Sequence, residues 1–243
     1  MTVALVVLVG ALLAGFVSGL AGFGTGLVAL GLWLHVVDPI LAAPLVAICS
    51  VVAQLLSLLS IRPAFNLARL WPFLAGGILG VPVGVLALSH IEGDSFRLAL
   101  GAFLIVYCAA MLASSRLPVF DRGGKPADGA VGLAGGILGG ATGLSGALPT
   151  VWCGLKGWGK TEQRAVYQPY NLAILGLALA VQAQQGFITG EVGRLALICL
   201  PGTVLGAWLG TRAFARVDDR QFRRIVLWLL LASGAVLTGK TLI

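Results

Sequence analysis

Two stretches decide how this chain reads: Gly15-Phe16-Val17-Ser18-Gly19-Leu20-Ala21-Gly22-Phe23-Gly24-Thr25-Gly26 and Gly135-Gly136-Ile137-Leu138-Gly139-Gly140-Ala141-Thr142-Gly143-Leu144-Ser145-Gly146. Each interrupts an apolar run, Val3–Leu34 and Ala130–Leu155, that is too long for a single crossing of a bilayer. A spanning helix needs ~20 residues. Glycine both weakens a helix and permits backbone that other residues resist. Broken helices inside a membrane survive only where the freed backbone is buried in protein or lines a cavity. The two stretches therefore predict helical hairpins with non-helical tips.

The rest of the chain fits the same solvent. Of 243 residues, 58 % are hydrophobic and 10 % charged, whereas soluble domains carry about 25 % charged residues. That balance excludes a cytosolic enzyme. Six further apolar segments follow, most with the length of one span: Ile40–Leu59, Leu70–Leu88, Phe96–Leu112, Gln168–Val181, Leu195–Phe214 and Ile225–Leu242. Cys49, Cys108, Cys153 and Cys199 lie in or beside apolar stretches without a CxxC, so neither a disulfide framework nor a metal site is expected. No cofactor is called for. The first residues lack a basic segment and do not read as a cleaved signal peptide.

The chain repeats itself. An offset of 121 places Gly15, Gly19 and Gly22 on Gly136, Gly140 and Gly143. An offset of 126 places Gly76, Gly80 and Gly84 on Gly202, Gly206 and Gly210, and Phe96-Arg97 on Phe222-Arg223. The expected organisation is a first membrane repeat over 1–115, a cytoplasmic linker over 116–126 and a second repeat over 127–243.

Loop charge selects the topology. With eight single crossings the 16 Lys and Arg divide nine to seven and choose no orientation. With two hairpins, Arg97, Arg194 and Lys240 fall on one face and the other thirteen on the opposite face. Positive charge accumulates on the cytoplasmic side, so both termini are expected outside. Each half then has an odd number of spans. The fold class is an all-α polytopic membrane protein of two inverted repeats, each a Gly-broken helical hairpin plus three spanning helices. The excess of seven positive charges reads as topology, not nucleic-acid binding.

The tips are the candidate site. Free amides at a half-helix N-terminus, with the dipole behind them, suit an anion. Gly22, Gly24 and Thr25 at the first tip, and Thr142, Gly143, Ser145 and Gly146 at the second, offer amides and hydroxyls. The alternative is glycine serving helix packing alone. Gly76-xxx-Gly80-xxx-Gly84 and Gly202-xxx-Gly206-xxx-Gly210 keep strict helical spacing and read as packing faces. Gln54, Gln168, Tyr170 and Asn171 could hold an oxyanion or link helices. Every Asp and Glu falls in a loop or at a span edge, which disfavours a cation transporter. No buried Lys or Arg is expected. Lys156, Lys160 and Arg164 form a cytoplasmic funnel for anions or only enforce topology, and Arg220-Gln221-Phe222-Arg223-Arg224 anchors a span against lipid. Ser145 could also be a hydrolase nucleophile, but only if the fold brought His35 or His90 to it.

The duplicated breaks, Gly15–Gly26 and Gly136–Gly146 with Ala147-Leu148-Pro149, resemble the sulfite exporter TauE/SafE family, also called the toluene sulfonate uptake permease family. The resemblance covers nearly the whole chain. Gly-Phe-Gly-Thr-Gly stands where many members carry a longer glycine run. The family implies an inner-membrane, non-enzymatic carrier of sulfur-containing anions such as sulfite, sulfonates or sulfoacetate, with protons as coupling ion. The expected partners are a small anion, the lipid bilayer and a second copy in a homodimer, with no nucleic acid. An anion channel built from the same hairpins is the alternative function, and an intramembrane serine hydrolase the third.

Overall fold

A computed structural model describes residues 2–33, 36–61, 66–87 and 123–242, and scattered positions between 98 and 112. The described segments form helices α1 (Thr2–Ala21), α2 (Thr25–Trp33), α3 (Pro39–Ile61), α4 (Leu67–Ala87), α5 (Gly124–Thr142), α6 (Ala147–Leu155), α7 (Lys160–Gln184), α8 (Gly190–Phe214) and α9 (Asp219–Leu242). No strand occurs among the described residues. Among the described residues, four helices are long and apolar enough to cross a membrane: Val3–Ala21, Leu41–Leu59, Leu67–Leu86 and Gly190–Phe214. Leu79, Leu86, Leu197 and Leu205 are exposed, which suits lipid as the surrounding solvent.

Both glycine-rich stretches break where expected, and by the same chemistry. Gly22 has φ 78° and Gly143 φ 74°, left-handed values that strain any residue with a Cβ. The Gly22 N–H donates to Ser18 O at 2.7 Å and the Gly143 N–H to Gly139 O at 3.0 Å. The two caps sit at the same repeat offset. Each closes the end of a long helix. Beyond each break lies a nine-residue helix, α2 or α6, about 13 Å long at 1.5 Å per residue. Each short arm folds back toward the start of its long arm. The Trp33 indole N–H donates to Val7 O at 3.1 Å. The Trp152 indole N–H donates to Asp128 Oδ1 at 2.7 Å. Val7 and Asp128 are again 121 apart.

The glycine ladders lock the halves together. A Cβ on Gly76, Gly80 or Gly84 would strike the carbonyl oxygens of Gly129, Leu133 and Ile137, while one on Gly132, Gly136 or Gly140 would strike those of Phe73, Gly77 and Val81. Numbers rise together on both helices, so α4 and α5 run parallel. The same holds for α1 and α8, where Gly15 and Gly19 meet Thr203 and Ala207, and Gly206 and Gly210 meet Leu12 and Phe16. The first helix of each half thus packs on the fourth helix of the other. The packing role expected for these glycines is the observed one.

Charges gather at one end of the bundle. Arg69 pairs with Glu162 at 3.2 Å and Lys156 with Asp128 at 2.7 Å. Lys125 lies over the Trp71 ring at 5.5 Å, and the Lys160 amine reaches Val217 O. This end therefore holds the starts of α4, α5 and α7 and the ends of α6 and α8. Because α1 runs parallel to α8, it begins at the opposite end. The first helices of the two halves point in opposite directions through the bundle.

Two boundaries differ from expectation. Helix α5 begins at Gly124, inside the stretch assigned to the linker; the linker before residue 123 lies outside the described residues. Helix α7 begins at Lys160, eight residues before Gln168. Its first turns carry Lys160, Glu162 and Arg164, charges that mimic a loop. About half of the third span of the first half, Phe96–Leu112, falls outside the described residues.

Candidate anion site between the hairpin tips

The end of α1 presents a row of carbonyl oxygens at the negative pole of the helix dipole. Side chains from α7 and α3 take those of Gly19, Leu20, Ala21 and Gly22. Arg164 donates through Nη2 to Gly19 O at 2.6 Å and through Nη1 to Leu20 O at 2.9 Å. Tyr167 donates through its hydroxyl to Ala21 O at 2.5 Å. Gly22 O accepts from Gln54 Nε2 at 2.9 Å and from Asn171 Nδ2 at 3.3 Å. Arg164 also donates through Nε to Gln168 Oε1 at 2.7 Å.

Arg164 overturns two expectations. It is 0 % exposed, so it is no open cytoplasmic funnel, and the site does contain a buried cation. Its guanidinium lies 4.2 Å from the centre of the Phe214 ring. Asp128 is also buried, but it is engaged with Lys156 and Trp152. Among the described residues no carboxylate pairs with Arg164. Lys160 stays at the charged end, over the other partner it shares with Arg164, Phe214, at 4.9 Å.

The second tip meets the first. A Cβ on Gly146 would lie 2.8 Å from Phe23 Cβ, and one on Gly26 would lie 3.2 Å from Gly143 O. Asn171 joins the two tips, since its Oδ1 accepts from Ser145 Oγ at 3.1 Å while its Nδ2 reaches Gly22 O. Gly22, Thr25, Gln54, Gly143, Ser145, Gly146, Gln168 and Asn171 thus converge. Two candidates do not. The Thr142 hydroxyl donates to Leu138 O of its own helix at 2.9 Å, and Gly24 packs on Val17 within its own hairpin. Ser145 has an amide partner, and both histidines lie outside the described residues.

Several buried atoms around the tips have no hydrogen-bond partner: Thr25 Oγ1, Gln54 Oε1, Gln168 Nε2, Ser18 Oγ, Ser50 Oγ and Ser57 Oγ. Buried polar groups are normally satisfied, so this polar centre has capacity to spare. Sequence reasoning missed Arg164 and Tyr167 as members. The signal was present, because Arg164, Tyr167, Gln168 and Asn171 stand at i, i+3, i+4 and i+7, one face of a helix. An offset of 125 aligns Pro44 of α3 with Pro169 of α7 and sets Ala42, Ala43 and Val46 against Tyr167, Gln168 and Asn171. Val46 packs on Gly143 and Gly26, while Asn171 packs on Gly146 and donates to Gly22 O. The centre is polar on the α7 side and apolar on the α3 equivalent.

Asn171→Leu should destabilise the protein by about 1–3 kcal/mol, because Ser145 Oγ and Gly22 O lose a buried partner. Ser145→Ala should cost less. The double variant should fall short of the sum, since both substitutions break one shared bond. Thermal unfolding in detergent measures all three, and strict additivity would deny the bridge.

Interlocked glycine-packed helices, two broken hairpins and a buried polar centre define a polytopic α-helical membrane protein of the transporter class. The model of the sulfite exporter TauE/SafE family matches residues 7–237, across both halves, and the chain belongs to that family of membrane exporters of sulfite and related sulfur anions. No curated protein and no solved structure matches the chain.

Proposed function

We propose that this protein is a secondary carrier of small sulfur-containing oxyanions such as sulfite or sulfonates, with the anion bound between the two hairpin tips. One observation supports the anion reading above the others: Arg164 is wholly buried among neutral partners. Ionisable groups at membrane depth are costly and are kept for function. Arg164 has five N–H donors, of which three are committed. One remains on each Nη, enough for a bidentate contact with one oxyanion group. Gln54, Gln168, Asn171, Thr25 and Ser145 complete the wall, with the amides at the starts of α2 and α6 outside the helical ladder.

Counterflow in proteoliposomes tests this reading. Unlabelled sulfonate loaded inside should accelerate uptake of labelled sulfonate, as a carrier that must return its site requires. Flux that ignores trans substrate and rises linearly with concentration would indicate the channel instead. No flux of any sulfur anion would refute both.

In the inner membrane the charged end faces the cytoplasm in this proposal, and both termini lie outside. With the native cysteines replaced, Thr241→Cys should react with an impermeant thiol reagent on whole cells, and Ser115→Cys should not. The reverse pattern would reject the orientation.

A further inference from the structure

We infer that the site is matched to a monoanion, a sulfonate or hydrogensulfite, and discriminates against dianions such as sulfate. The inference rests on the carrier reading above and adds the charge state of the substrate. Its basis is the inventory of fixed charge around the tips. Among the described residues Arg164 is the one buried cation, and Asp128, the one buried carboxylate, is matched to Lys156 at the base of the second hairpin.

Among the described residues, the groups facing Arg164 add no further charge. Helix α1 offers the Gly19 and Leu20 carbonyls, α7 offers Gln168 and the neutral phenol of Tyr167, and α8 offers the Phe214 ring. Helix α3 contributes Gln54, which donates to Gly22 O beside it. Lys160, one turn nearer the start of α7, is only part-buried, and its amine is held on Val217 O. At the second tip, the same offset of 125 sets Pro39 against Arg164 and Ala42, Ala43 and Val46 against Tyr167, Gln168 and Asn171, so the duplicated fold brings no second cation there.

One guanidinium compensates one negative charge. A second charge would enter a site whose other partners are dipoles, and the expense of removing an ion from water rises steeply with its charge. Simple sulfonates such as methanesulfonate carry one charge at every physiological pH; sulfoacetate, with its carboxylate, carries two. Sulfate carries two. Sulfite passes from one to two as hydrogensulfite loses its proton near neutrality. Shape alone would not separate these anions, because each presents three or four oxygens on sulfur.

The test is competition against labelled methanesulfonate uptake by the wild-type protein in proteoliposomes. Unlabelled methanesulfonate should compete better than sulfate by roughly tenfold or more, about 1.4 kcal/mol, on both sides of neutrality. Sulfite should compete like methanesulfonate in mildly acidic buffer and fade toward sulfate in mildly alkaline buffer. Sulfate competing as well as methanesulfonate would overturn the inference while leaving an anion carrier in place. So would a sulfite potency that rises with pH. Failure of methanesulfonate and sulfite alike to move would instead overturn the carrier reading, and this inference with it.

Discussion

Replacing Arg164 with leucine should abolish transport and weaken the fold. Leucine fills part of the volume but donates nothing, so Gly19 O, Leu20 O and Gln168 Oε1 each lose a buried donor. Leaving such groups unpaired costs about 1–3 kcal/mol each; relaxation and sharing would hold the total to about 2–5 kcal/mol. The end of α1 would then be tied to α7 by Tyr167 and Asn171 alone. Arg164→Lys keeps the charge but replaces a planar fork by a point donor. It should retain a reduced transport rate and an intermediate melting temperature. Unfolding in detergent and counterflow on the same preparations separate the two losses. Near wild-type transport by Arg164→Leu would remove Arg164 from the site.

The second large effect falls on packing. Gly80→Leu and Gly206→Leu should yield little or no folded protein in the membrane. At both positions the obstruction is backbone: Leu133 O and Ile137 N face Gly80, and Leu12 O and Phe16 N face Gly206. No rotamer change relieves a clash with backbone, so the helices must separate along the whole ladder. In a bilayer, close packing of this kind is a main source of helix association, because lipid is as apolar as the side chains. Gly176→Leu and Gly193→Leu are the controls, since a Cβ at either position meets nothing within 4 Å. Size-exclusion profiles of fluorescently tagged variants report the outcome. Monodisperse Gly80→Leu protein at wild-type yield would contradict the interlocked ladders.

Much of this architecture was legible because membrane helices obey strict length and spacing rules. The breaks at Gly22 and Gly143 show as interrupted apolar runs. The ladders show as glycines four apart at matching places in both halves. The start of α7 was not legible. Glu162 and Arg164 lower the local hydropathy, and a charged residue beside a span reads as loop until something is known to receive it. What receives Arg164 is the end of α1, more than 140 residues earlier. Composition carries no trace of that meeting. Thr142 misled for a related reason: a hydroxyl beside a tip looks available, yet it is satisfied within its own helix. Burial of the cation also changes the account of the site. Backbone amides and hydroxyls were expected to hold the anion without fixed charge, whereas a guanidinium already stands at the junction.

The central claim is that the anion binds at Arg164 where the two tips meet. Anomalous scattering from crystals soaked with a selenium oxyanion, selenite standing in for sulfite, locates the site directly. The account predicts a selenium peak within hydrogen-bonding reach of the Arg164 guanidinium and beside Gln168 and Asn171, absent from crystals of Arg164→Gln. A peak at Lys125, Lys156 or Lys160 on the charged end, with none at the tips, would contradict it.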